Sequence, residues 1–101
     1  MRVIKRSVLL EFGKNHPQAR VPLDHWYQLV RKGDWQNTVA VKTVFGTSVD
    51  FVAHNRAVFD IKGNQYRLIA EINYRRRIVF IRFLGTHAEY DKVDADAVKR
   101  Y

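Results

Sequence analysis

"AVFDIKGNQYRLIAEINYRRRIVFIRFLGT", residues 57 to 86, is the stretch that decides how this chain folds. Gly63-Asn64 sits between two runs of alternating residues, a two-residue hairpin signal. With the turn there, Lys62 faces Gln65, Asp60 faces Arg67 and Phe59 faces Leu68. The next reversal falls at "NYRRRI", where a loop of two or four residues leaves Asn73 opposite Ile78. Glu71 then faces Phe80, and Ile69 faces Arg82.

Alternation sorts these strands into two sides. One carries Phe59, Ile61, Tyr66, Leu68, Ala70, Ile72, Val79, Ile81 and Phe83, an apolar surface on which helices can pack. The other carries Val58, Asp60, Lys62, Gln65, Arg67, Ile69, Glu71, Ile78, Phe80, Arg82 and Leu84, a mixed and open face where chemistry can sit. Arg67 and Arg82 point the same way from neighbouring strands, offset by about one residue pair. His87 follows just beyond, with Tyr90 and Lys92 nearby.

The first half of the chain supplies the helices. Residues 2 to 4 form a short first strand, and Ser7 caps a helix running to Asn15 with Val8, Leu9 and Phe12 on one face. After the "HPQAR" break, Leu23, Trp26, Tyr27 and Val30 recur at helical spacing, and Gly33 is a natural stop. A third, shorter helix starts at Thr38 and carries Val41, Val44 and Phe45 before Gly46. Trp26 and Trp35 are core residues, and His54-Asn55 is a turn. Beyond Asp94, acidic residues followed by Lys99 and Arg100 suit a last helix through its dipole. The spacing therefore predicts an α/β fold of the α+β kind, with N-terminal helices packed on a twisted antiparallel sheet. No repeat or linker interrupts the chain, so residues 1–101 are expected to form one domain.

Composition narrows the chemistry. Lys and Arg number 18 against 10 Asp and Glu, a formal charge of +8, which is the footprint of a polyanion binder. There is no cysteine, which excludes disulfides and thiolate chemistry. The N-terminal apolar patch is too short for a signal peptide or a membrane span, so no membrane partner and a cytoplasmic location are expected. His16, His25, His54 and His87 lack zinc-ligand spacing, and Asp60 and Glu71 each have an arginine neighbour, so no metal or other cofactor is expected. No phosphate-binding Gly loop or nucleophilic Ser motif is present. Cleavage of RNA without a metal fits this inventory, since the 2′-hydroxyl is an internal nucleophile. It needs a base, an acid and cations on the phosphorane, and each of these effects is worth roughly 10² or more in rate. Histidine, tyrosine and arginine supply those roles.

The run "FDIKGNQYRLI" followed by "RFLGTHAEYDK" resembles the HigB-type toxins of bacterial type II toxin-antitoxin systems, within the RelE/ParE superfamily. The resemblance covers residues 58 to 95 and, more weakly, the helical half with Trp26 and Trp35. It implies a RelE-like fold and an endoribonuclease, an mRNA interferase that cuts mRNA, typically on the translating 70S ribosome, and so inhibits translation. It also implies a HigA-type helix-turn-helix antitoxin as partner. The functional residues it implies are Arg67, Arg82, His87 and Tyr90.

Each of these residues has a plainer role open to it. Arg67 can pair with Asp60 across the hairpin, a contact worth about 0.2–1 kcal/mol. Arg82 either pairs with Glu71 or aims at phosphate, because an unpaired charge inside an apolar strand is costly. His87 is a turn histidine or a proton-transfer group, for which the ordinary imidazole pKa of about 6.5 is suited. Tyr90 is a packed aromatic or a proton acceptor, and Asp91 caps or pairs with Lys92. Arg75, Arg76 and Arg77 form a solvated tip or, with Lys62 and Lys92, contact the RNA backbone. Two other functions share the same basic surface. One is a non-catalytic RNA- or ribosome-binding module, and the other a ParE-like toxin that poisons gyrase.

Overall fold

The computed structural model describes residues 1–101. The chain order is β1 (Arg2–Ile4), α1 (Arg6–Asn15), one 3₁₀ turn (Pro17–Ala19), α2 (Arg20–Lys32), α3 (Thr38–Phe45), a second 3₁₀ turn (Gly46–Ser48), β2 (Val49–Val52), β3 (Arg56–Ile61), β4 (Tyr66–Asn73), β5 (Ile78–Thr86) and α4 (His87–Tyr90). The strands form one sheet in the order β1-β5-β4-β3-β2. It is antiparallel except at its edge, where β1 runs parallel to β5 with Ile4 beside Phe80. Four helices on a mixed five-stranded sheet make this an α+β fold. No helix is long and apolar enough to cross a membrane.

The two turns set the register as their residues dictate. Asp60 faces Arg67 and Phe59 faces Leu68, while Asn73 faces Ile78 and Glu71 faces Phe80. The first loop closes when the Gln65 N–H donates to the Lys62 carbonyl, with Lys62 and Gly63 both at positive φ. Glycine takes that conformation at no steric cost, whereas Lys62 does not. In the second loop the Asn73 side chain accepts from the Arg76 N–H. Arg77 there turns through φ 57°.

Beyond Ala70 the expected register fails. Ala70 faces Ile81, but Ile69 faces Phe83 rather than Arg82. Arg82 is the extra residue of a β-bulge, and one extra residue sends everything after it to the opposite face. Leu84 therefore joins the helix-facing core with Leu23, Trp26, Val30, Phe59 and Leu68. Phe83, expected on that side, lies instead on the second face with Val58 and Ile69.

That second face is not open. Val93, Ala95 and Val98 pack on the Val58, Ile69 and Phe83 cluster, so residues 91 to 101 cross the sheet as a tail of turns and extended chain. The helix expected after Asp94 is absent. One cause is visible in its contacts: the Asp96 side chain accepts from the Ala53 N–H, and the Arg100 N–H donates to the Arg82 carbonyl at 3.0 Å. The latter bond covers the edge of β5 where β1 has ended, an edge that would otherwise offer unpaired backbone groups.

The helices match their spacing with one correction. Ser7 is not the cap of α1; the preceding position is Lys5, at φ 76° and with no side-chain capping bond. In α2, Leu23, Trp26 and Val30 are buried, and Gly33 ends the helix by donating its N–H to Val30. The α3 helix is capped by Asn37, whose side chain accepts from the Ala40 N–H. Val41 is buried there while Val44 is exposed.

Candidate active site

The chemistry-bearing end of β5 is built by a local motif. Thr86 and Glu89 form a reciprocal capping box, in which the Thr86 hydroxyl accepts from the Glu89 N–H at 3.2 Å and the Glu89 carboxylate accepts from the Thr86 N–H at 2.9 Å. Such T-x-x-E pairs satisfy two orphan donors at a helix start. The bond from the Thr86 backbone holds the Glu89 carboxyl below its ordinary pKa. The His87 N–H donates to the Gln65 carbonyl at 3.1 Å, which ties this helical turn to the β3–β4 loop.

Three of the four residues singled out from sequence meet here. The Arg67 guanidinium lies 5.1 Å from the centre of the Tyr90 ring, within cation–π range. The His87 and Tyr90 rings are 6.4 Å apart, and Phe83 lies 6.4 Å from Tyr90 on its buried side. His87 Nδ1 is 3.2 Å from the Asp91 carboxylate, with 43% of its side chain exposed. Asp91 thus pairs with His87 rather than with Lys92. Arg67 Nε is 2.8 Å from Asp60 Oδ1, but its N–H is not aimed along that contact. The contact is an ion pair without an aligned hydrogen bond, so the guanidinium is held but not consumed.

Arg82 stands apart from this group. Arg67 faces Gly85, and Arg82 is three residues back along β5, about 10 Å at strand rise, with Phe83 between. Its Nε lies 3.3 Å from Glu71 Oε1, its Nη1 donates to the Tyr101 backbone oxygen at 3.3 Å, and it stacks over Phe80. Only 14% of the side chain is exposed. Both strand arginines thus have the carboxylate partners that cross-strand pairing offers them.

The basic residues fall at two ends of the sheet. Lys62 and Lys92 are exposed, Lys62 on the loop that His87 binds and Lys92 two residues after Tyr90. Arg75, Arg76 and Arg77 occupy the opposite loop, all exposed, with Arg77 in an ion pair with Asp34. No three His, Asp or Glu side chains converge on one point. The groups on offer are guanidinium, imidazole and phenol.

Two further arginines were not singled out from sequence. Arg56 is 5% exposed and faces Glu71 across the β3–β4 pair, a position that follows from extending the Asp60–Arg67 register by four residues. Arg100 places its guanidinium 4.8 Å over the Phe83 ring, and only the tail's path reveals that contact.

Comparison with known proteins bears on what this geometry does. Residues 19–93 match a family model described as HigB_toxin, RelE-like toxic component of a toxin-antitoxin system. An mRNA interferase HigB from Escherichia coli O6:H1 is 29% identical over 94 residues, covering 92% of this chain and 91% of the relative. The mRNA interferase toxin HigB of Escherichia coli K12 is 27% identical over 92 residues, 90% of this chain and 88% of the relative. An mRNA interferase HigB of Shigella flexneri matches to the same extent.

Proposed function

Since the chain belongs to the HigB_toxin family of RelE-like toxin components, we propose that it is an mRNA interferase, a metal-independent endoribonuclease that cuts mRNA on the translating ribosome. The observation that carries this reading is the contact of Arg67, Tyr90 and His87 at one rim of the sheet. A phosphodiester of RNA needs little more. The 2′-oxygen attacks phosphorus as its proton passes to a base, the bond to the 5′-oxygen breaks, and an acid protonates that oxygen. His87 and Tyr90 carry the two proton transfers between them. Arg67 holds the scissile phosphate and stabilises the charge on the phosphorane, with Arg82 adding its field from the bulge.

The basic ends of the molecule serve capture. Lys62 and Lys92 flank the proposed site and engage the phosphates beside the cut, while Arg75, Arg76 and Arg77 track backbone farther away without reading bases. The partner that restrains the toxin is a HigA-type helix-turn-helix antitoxin, and the pair works in the cytoplasm, where translating ribosomes are.

Brief expression followed by mapping of mRNA 5′ ends tests the reading. New internal ends are expected with the native chain, and Arg67→Ala or His87→Ala should reduce them by about 10²-fold or more while the variants remain folded. Intact mRNA with arrested DNA replication would favour a gyrase poison instead. Equal cleavage by the folded variants would remove these residues from the reaction.

A further inference from the structure

Arg56 is a charged side chain placed where an apolar one would suffice for stability. It is 5% exposed at the start of β3, and a buried ion pair contributes little that well-packed hydrophobic residues would not. Its contacts show what else it touches. Arg56 Nη2 lies 3.6 Å from Glu71 Oε1, the same oxygen that Arg82 Nε approaches at 3.3 Å. Arg56 Nη1 donates to the backbone oxygens of Ala95 and Val98, fixing the tail just before it reaches Arg82. The tail then returns to Arg82 twice, through the Arg100 N–H on its carbonyl and the Tyr101 oxygen on its Nη1.

Both anchors of the Arg82 guanidinium, Glu71 and the tail, are therefore held by Arg56. Glu71 Oε1 thus serves two guanidiniums at once. Arg56 is sealed under the tail, whereas Arg82 makes its bonds through Nε and Nη1 and leaves Nη2 outside them. From this juxtaposition we infer that Arg56 is a positioning residue, acting through Glu71 and the tail backbone to aim Arg82 Nη2 at the RNA phosphate. The inference rests on the proposed ribonuclease activity and on a role for Arg82 in it.

The link is tested by a double-mutant cycle on the full chain, read as single-turnover cleavage of a ribosome-programmed mRNA. Arg56→Lys keeps the charge, but a single ammonium cannot replace a planar fork that engages Glu71 and two carbonyls together. It should lower the rate about 10- to 100-fold, as misplacement of a charge by about 1 Å does, with KM nearly unchanged. In an Arg82→Ala background the same substitution should cost nothing more, because the residue it positions has gone. Glu71→Gln, which keeps the shape and removes the shared charge, should behave in the same way and serves if Arg56→Lys fails to fold. Losses that multiply in the two backgrounds would overturn the inference, as would a full rate in folded Arg56→Lys. If Arg82→Ala alone cleaves at the native rate, the role of Arg82 fails first, and the cycle shows which of the two ideas was wrong.

Discussion

Replacing Phe83 and Val98, singly and together, measures where the bulge sends the second half of β5. Phe83 is fully buried against Val58 and Ile69, with Val98 of the tail packed on the same cluster. Phe83→Ala empties a closed aromatic site and should cost about 3–5 kcal/mol, a large share of the roughly 5–15 kcal/mol that holds a domain together. Val98 is only half-buried, so losing its two methyl groups should cost about 1 kcal/mol, from about 0.8 kcal/mol per fully buried carbon. Val98 covers Phe83, and the alanine at 83 leaves it little to cover. The double variant should then fall short of additivity by about 0.5–1 kcal/mol. Urea unfolding followed by circular dichroism gives all three values, provided the slope stays constant. Uninterrupted alternation would place Phe83 among the helices, out of reach of the tail. Additive losses, within about 0.3 kcal/mol, would refute the bulge and with it the present account of what surrounds Arg82.

Two further outcomes follow from the electrostatics. The Glu89 carboxyl, ordinarily near 4.5, is drawn down chiefly by its bond from the Thr86 backbone. A folded pKa below the unfolded one gives stability that is present above the ordinary carboxylate range and lost as pH falls through the lowered value. Glu89→Gln should therefore flatten the acid limb of the unfolding midpoint against pH, and an unaltered limb would remove the capping box as the cause. At the far loop, Arg75→Ala with Arg76→Ala should reduce the salt slope of RNA binding by about 1.4, at about 0.7 per phosphate contact on a single strand. Arg77→Ala should change it less because Asp34 already holds that side chain, and a slope indifferent to Arg75 and Arg76 would take the loop out of RNA capture.

The strand pairings were legible because their causes are local. Gly63 and the Asn73–Ile78 loop fix where the chain reverses, and a period of two does the rest. The bulge left no such mark. From Ile78 to Leu84 every residue but Arg82 is apolar, so Phe83 and Leu84 fit either face equally well, and only the packing around them decides. The tail was misread for a related reason. Asp94 and Lys99 satisfy a helix dipole, but Val93, Ala95 and Val98 had an uncovered apolar row within reach once Phe83 had turned toward it. Arg56 and the Thr86–Glu89 box were within reach of sequence reasoning, one through the hairpin register and the other through T-x-x-E spacing.

Cross-strand pairing explains how a strongly basic chain keeps charge inside its sheet. Arg56 and Arg82 meet Glu71, and Arg67 meets Asp60, on the second face, so each of these guanidiniums is fixed beside a carboxylate. Most of the chain's net +8 lies elsewhere, on exposed residues such as Lys62, Arg75, Arg76, Lys92 and Arg100. Exposed charges act at a distance that salt screens within about 8 Å under physiological conditions, which suits capture of a polyanion. Guanidiniums locked by carboxylates and backbone oxygens need no reorganisation when charge develops beside them, which suits the chemical step. The arginine triplet at the loop and the single arginine in the bulge thus differ in setting: Arg75 and Arg76 stand in water, Arg77 is paired with Asp34, and Arg82 is held by Glu71 and the tail.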